Sequence, residues 1–80
     1  MRIDDYLSTV GIIKRRTIAK QLASNKLIEI GQRKVKPAYA VKIGDIIEIK
    51  GSDPKTIEVL DIPSGSVATA NREQYFKFLA

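Results

Sequence analysis

The chain has 80 residues, 44% of them hydrophobic and 29% charged, with neither cysteine nor histidine. A single domain of this size buries only about 60% of its unfolded surface, which leaves little room for a deep catalytic cleft. The missing cysteine excludes a disulfide framework and a thiolate metal site, and the missing histidine removes the commonest general base and metal ligand, so neither cofactor nor metal is expected.

Lysine and arginine outnumber the acids by 14 to 9, a net charge of +5. Residues 1–42 carry 10 basic and 3 acidic side chains, a net +7, whereas residues 43–80 carry 4 and 6, a net −2. Such asymmetry predicts one basic face presented to a polyanion and backed by an ordinary scaffold. The opening Met1-Arg2-Ile3-Asp4-Asp5 has acids where a signal peptide would carry apolar residues, and no apolar run approaches membrane-spanning length. A cytoplasmic protein without a membrane partner is therefore expected.

Ile3, Tyr6, Leu7 and Val10 recur at helical spacing and predict a first helix of about two turns. Asp4 suits its N-cap or first turn, and Gly11 can end it in a left-handed conformation. Arg2, just outside, can reach outward or pair with Asp4. Ile12 and Ile13 read as buried connectors.

A second helix is predicted from about Arg16 to Ser24, with Ile18, Ala19, Leu22 and Ala23 as its apolar stripe and Asn25 as a left-handed terminator. Lys14, Arg15 and Arg16 crowd its start, and Lys20 lies one turn beyond Arg16. Cations at a helix N-terminus oppose its positive partial charge. An external polyanion accounts for that placement, because free backbone N–H groups and Arg/Lys side chains both favour phosphate oxygens. A solvated charged face is the plainer alternative.

Leu27 to Ile30 reads as a strand, Gly31-Gln32 as a two-residue turn, and Arg33-Lys34-Val35-Lys36 as a basic returning strand stopped by Pro37. Alternation along that strand can line a groove beside the second helix. Tyr39 is either a core ring or a stacking platform, with the core favoured. Val41-Lys42-Ile43-Gly44-Asp45 reads as a turn leading into a strand, Ile46–Ile49, and Gly51-Ser52-Asp53-Pro54 as a turn into a longer partner strand from Lys55 to Ile62. Pro63-Ser64-Gly65-Ser66 is a short linker. Asn71 then starts a predicted C-terminal helix whose Tyr75, Phe76, Phe78 and Leu79 pack back on the sheet or form a partner-docking patch. The expected fold is α+β: two short N-terminal helices on a small, mainly antiparallel sheet, with a short C-terminal helix. Residues 1–62 would form the main domain and residues 63–80 a linker and helix packing on it.

Met1-Arg2-Ile3-Asp4, then Lys14-Arg15-Arg16-Thr17 through Ala19-Lys20, then the basic hairpin and Lys42-Ile43-Gly44-Asp45 together resemble the S-four-type RNA-binding domain. This likeness covers roughly Met1 to Lys50. The short chain, the Ile13-Lys14-Arg15-Arg16-Thr17 run and the terminal segment with Tyr75 are most similar to the RqcP-type branch of that family, which acts in ribosome-associated quality control. The resemblance implies a factor that binds rRNA and tRNA on large ribosomal subunits obstructed by peptidyl-tRNA and assists an RqcH-type tailing factor. A monomer away from the ribosome is expected. By position, Arg16 matches the motif arginine of the second helix, Arg2 the outer N-terminal arginine, and Lys20 the continuation of that ridge. The full RNA-binding set is Arg2, Lys14, Arg15, Arg16, Lys20, Arg33, Lys34 and Lys36. Asp5 stands where relatives often have lysine, Arg15 where many have a capping serine, Gly31-Gln32 where the family has Asn-Gly, and Leu27 reads as an extra residue before the strand.

Competing readings are weaker. An enzyme would rest on Asp4-Asp5, the only adjacent carboxylate pair, yet neighbours in a helix point about 100° apart. No catalytic residue is assigned. A DNA-binding helix-turn-helix is disfavoured because the second helix carries few side chains fit to read base edges. A related heat-shock recycling factor, a ribosome assembly factor, or a protein-interaction module using the aromatic tail are the remaining alternatives.

Overall fold

A computed structural model describes residues 1–65 and 67–79. Two helices, α1 (Ile3–Thr9) and α2 (Arg16–Ser24), precede strands β1 (Ile28–Ile30), β2 (Arg33–Lys34), β3 (Ile46–Ile49), β4 (Lys55–Val59) and β5 (Phe76–Leu79). The strands form one antiparallel sheet in the order β2-β1-β3-β4-β5. Its core joins Ile3, Tyr6, Leu7 and Val10 of the α1 region and Ala19 and Ala23 of α2 to Ile28, Ile47, Ile49, Ile57 and Val59 of the sheet.

The first turn of α1 leaves amides that the helix itself cannot satisfy. Tertiary structure supplies the acceptors: the Ile3 N–H donates to the Tyr39 carbonyl at 2.8 Å, the Asp4 N–H to that of Pro37 at 3.4 Å, and the Asp5 N–H to the Asp4 carboxylate at 2.8 Å. Asp4 is therefore a first-turn acid, and Arg2, in extended backbone, is the residue before the helix. Segment 36–41 runs beside the N-terminus, with Arg2 bridged to Ala40 and the Val41 amide donating to the Met1 carbonyl. Gly11 follows α1 with φ +82°.

The second helix has the predicted bounds but a different cap and a narrower buried stripe. Asn25 is not left-handed (φ −86°); Lys26 is, at φ +63°. The Lys26 amide bonds to the Ala23 carbonyl and the Leu27 amide to that of Leu22, a paired ending that places its left-handed residue one position past the cap. Ala19 and Ala23 are buried, but Ile18 is 44% exposed. Small residues carry the contact because α2 packs closely on α1.

The β1–β2 hairpin turns through Gly31 and Gln32, both with positive φ, the backbone of a type I′ turn. The returning strand is shorter than expected, Arg33–Lys34, although the Val35 amide still reaches the Ile28 carbonyl. Tyr39 packs against the core and its hydroxyl donates to Asp45 at 3.0 Å. Strands β3 and β4 form the expected hairpin, but β4 ends at Val59 instead of Ile62.

The tail departs from expectation most. Residues Thr69–Gln74 form a 3-10 turn without a side-chain cap, and the aromatic run is strand β5, paired with Val59 to Thr56 of β4. There is no C-terminal α-helix among the described residues. The expected helix from Asn71 through Leu79 is too short to hold itself, whereas Phe-Lys-Phe-Leu has the composition of a strand and gains a full ladder against β4.

Candidate nucleic-acid interface

The geometry of the basic face starts at Asp4. Its carboxylate is 1% exposed, a costly position for a charge unless it is paired. Arg2 grips it with two hydrogen bonds, Nε to Oδ1 at 3.1 Å and Nη2 to Oδ2 at 3.0 Å. Arg16, the first residue of α2, brings its Nε to 3.7 Å from Oδ2. Two arginines from separate elements are thus gathered on one buried acid, and both side chains remain about half exposed. The arrangement also offsets the cost of a cation at the start of α2, where the helix has no acid in its own first turn.

Lys20 is exposed one turn along α2 from Arg16. Past it, Ala23 and Ser24 form one wall of a shallow groove of about 400 Å³, closed by Lys26, Lys34, Val35, Lys36 and Pro37. Pro37 also accepts the Asp4 amide, so this groove adjoins the Arg2 and Arg16 pair. The pleat turns Arg33 to the face of β2 opposite Lys34, and Arg33 does not line the groove. Lys14 lies elsewhere, in a second groove with Ile12, Ile13, Ile18 and Leu22. Arg15 is the exposed residue preceding α2, in extended backbone.

Of the eight residues expected to bind RNA, the structure brings Arg2 and Arg16 together on Asp4 and Lys34 and Lys36 together in the groove; Lys20 is exposed on α2, Arg15 is exposed just before it, and Lys14 and Arg33 do not line that groove. Among the described residues, Lys14, Arg15, Lys20, Arg33, Lys34 and Lys36 have no ion-pair partner, so their charge faces outward uncompensated. Sequence reading missed one member of the groove and one contact of the cluster. Lys26 enters the groove because of the left-handed turn after α2, and the only local hint was its place behind Asn25. Pairing of Arg2 with Asp4 was readable from spacing, but the share taken by Arg16, twelve residues away, was not. No cluster of three or more metal-ligating side chains occurs among the described residues.

The S4 domain family matches residues 1–47. The chain belongs to this family. Every residue of the basic face, from Arg2 to Lys36, lies inside the S4 segment, whereas β4, the 3-10 turn and β5 follow it. This S4 protein is 37% identical over 67 residues to the RQC P-site tRNA stabilizing factor of Helicobacter pylori, covering 80% of the chain and 77% of that relative. The factor of the same name from Bacillus subtilis is 35% identical over 63 residues, covering 78% and 73%. Small ribosomal subunit protein uS4 of Agathobacter rectalis is 37% identical over 62 residues, but the chain spans only 32% of its length. In three dimensions the S4 protein is similar to Vibrio cholerae Heat Shock Protein 15, described as a trimeric structure. The TM-score is 0.88 at 25% identity, covering 100% of this chain and 82% of that one. The likeness therefore extends over the tail as well as the S4 segment.

Proposed function

We propose that the protein is a non-catalytic, cytoplasmic RNA-binding factor that binds rRNA and tRNA on large ribosomal subunits obstructed by peptidyl-tRNA. There it assists ribosome-associated quality control, in which an RqcH-type factor tails the stalled nascent chain. Residues 1–62 form the RNA-binding unit and residues 63–80 pack on it; away from the ribosome the protein is a monomer. The observation that carries this reading is the Arg2–Asp4–Arg16 cluster, together with the exposed Lys20, Lys34 and Lys36, within the S4 segment. Relatives named for P-site tRNA stabilization support the choice of ligand.

Two exposed arginines held on one buried acid, beside exposed lysines without an ion-pair partner, suit the phosphate backbone of structured RNA. The major groove of A-form RNA hides its base edges, so the protein reads shape in preference to sequence. Arg16 and Arg2 take phosphates first, with Lys20, Lys34 and Lys36 extending the track. Arg15, Arg33 and Lys14 contribute from its margins.

The test is co-sedimentation of wild type and Arg16→Ala with vacant large subunits and with large subunits carrying peptidyl-tRNA. Preferential, Arg16-dependent binding to the obstructed particles is expected. Equal binding to both would leave an rRNA-binding protein and favour subunit assembly; binding to neither would remove the ribosomal assignment. The fold likeness to Heat Shock Protein 15 over the whole chain supports heat-shock-type recycling of large subunits as the second reading. Stimulation of tailing by the RqcH-type factor in a reconstituted reaction separates the two.

A further inference from the structure

A buried carboxylate inside a phosphate-binding surface is an electrostatic liability, because it repels the ligand and must be paired to stay ionised. Asp4 is the one buried charged side chain among the described residues. Its contacts explain its presence. Oδ1 accepts the Asp5 amide at 2.8 Å and Arg2 Nε at 3.1 Å, while Oδ2 accepts Arg2 Nη2 at 3.0 Å and faces Arg16 Nε at 3.7 Å. Both guanidinium groups are therefore met on their Nε edge. Arg2 Nη1 and the two Nη groups of Arg16 make no hydrogen bond to Asp4 and can donate to a ligand.

We infer that Asp4 is a positioning residue of the RNA site, holding Arg2 and Arg16 side by side with their outer N–H groups presented to adjacent phosphates. Its charge taken alone weakens RNA binding; through the two arginines it strengthens binding. Arginine side chains have many rotamers, and ordering them at the moment of association costs affinity. Asp4 meets that cost on folding. It is itself fixed by its place in α1, by its amide bond to the Pro37 carbonyl and by the Asp5 amide on its carboxylate. The inference rests on the RNA-binding reading above.

The sign of one substitution tests it. Asp4→Asn keeps the side-chain shape and an oxygen for the Asp5 amide, and moves the net charge from +5 to +6. Charge alone predicts tighter binding to RNA. Positioning predicts binding to purified large ribosomal subunits about tenfold weaker, the order expected when two long side chains must be ordered on association. In an Arg2→Ala/Arg16→Ala background the same change should produce no further loss, whereas a merely structural role would still weaken binding. The Nε–H resonances of Arg2 and Arg16, followed by NMR, should show faster exchange with water in Asp4→Asn. A thermal melt establishes that the variant is folded. Should it not fold, Arg2→Lys provides the test: charge is kept but the two-point grip is lost, and most of the affinity lost in Arg2→Ala should be lost here too.

Unchanged or tighter binding by folded Asp4→Asn, or wild-type binding by Arg2→Lys, overturns the inference. If Arg16→Ala still binds more weakly in that experiment, the RNA-binding reading survives. Wild-type binding by Arg16→Ala removes both.

Discussion

The Tyr6 hydroxyl donates a hydrogen bond of 2.7 Å to the backbone carbonyl of Tyr75, joining the first helix to the segment that leads into the last strand, 69 residues away. The same carbonyl accepts the Leu60 and Asp61 amides at 2.8 and 3.2 Å, so three parts of the chain meet on one oxygen. Tyr6 is fully buried, and this bond gives its hydroxyl a partner inside the core.

Tyr6→Phe should therefore destabilise the protein modestly, by about 1 kcal/mol. The Tyr75 carbonyl keeps two donors and is not left unsatisfied, and the ring still fills its site. Urea denaturation should show a lower midpoint with an unchanged slope. A loss of several kcal/mol would mean that the tail detaches with the bond.

Burial, with the nearby Asp61 charge as the lesser cause, pushes the Tyr6 hydroxyl pKa well above its ordinary value of 10.0. Burial, followed by the hydrogen bond and charge of Asp45, raises that of Tyr39. Groups with raised folded pKa values contribute stability that is fully present below pH 10 and is lost as pH rises from there through the folded values. Stability should thus fall steeply above pH 10, and Tyr6→Phe should flatten that fall. Denaturant midpoints measured from pH 8 to pH 12 would reveal the difference.

Gly11 stands at φ +82°, and a Cβ placed there would strike the Arg72 guanidinium, with Nε 2.5 Å and Nη1 2.6 Å away. Gly11→Ala combines left-handed strain of about 1–2 kcal/mol with displacement of a side chain packed against the loop. Arg72→Ala removes the collision but not the strain. The double variant should consequently be more stable than the sum of the single losses predicts, a coupling that thermal melts in a double-mutant cycle would measure.

Salt dependence distinguishes the cations. If Arg16 neutralises one phosphate, Arg16→Ala should reduce the slope of log affinity against log salt by about 1, and Lys34→Ala or Lys36→Ala likewise. Lys14, in the separate groove beside Ile12 and Ile18, should contribute a smaller change. Filter binding of wild type and variants to large-subunit rRNA across a salt series would check this; equal slopes for Arg16→Ala and wild type would remove Arg16 from the phosphate track.

Local pattern by itself determined much of this protein. Helical spacing set α1 and α2, β-branched runs around a Gly-Ser-Asp-Pro turn set the β3–β4 hairpin, and the concentration of cations up to Lys42 marked the part of the chain that supplies the basic face. These features depend on residues within a turn or a hairpin of one another. Tertiary structure decided the rest. The aromatic tail became β5 because the open edge of β4 offered it a ladder, something its own four residues do not encode. Ile18 stayed exposed because close packing of α1 on α2 used the alanines, and Lys26 joined the groove through a left-handed turn one residue beyond the expected cap. Asp4 acquired its second arginine because folding brought the start of α2 to the start of α1. Short-range periodicity sets which elements form; a charge cluster or an edge pairing is settled only when distant segments share one surface.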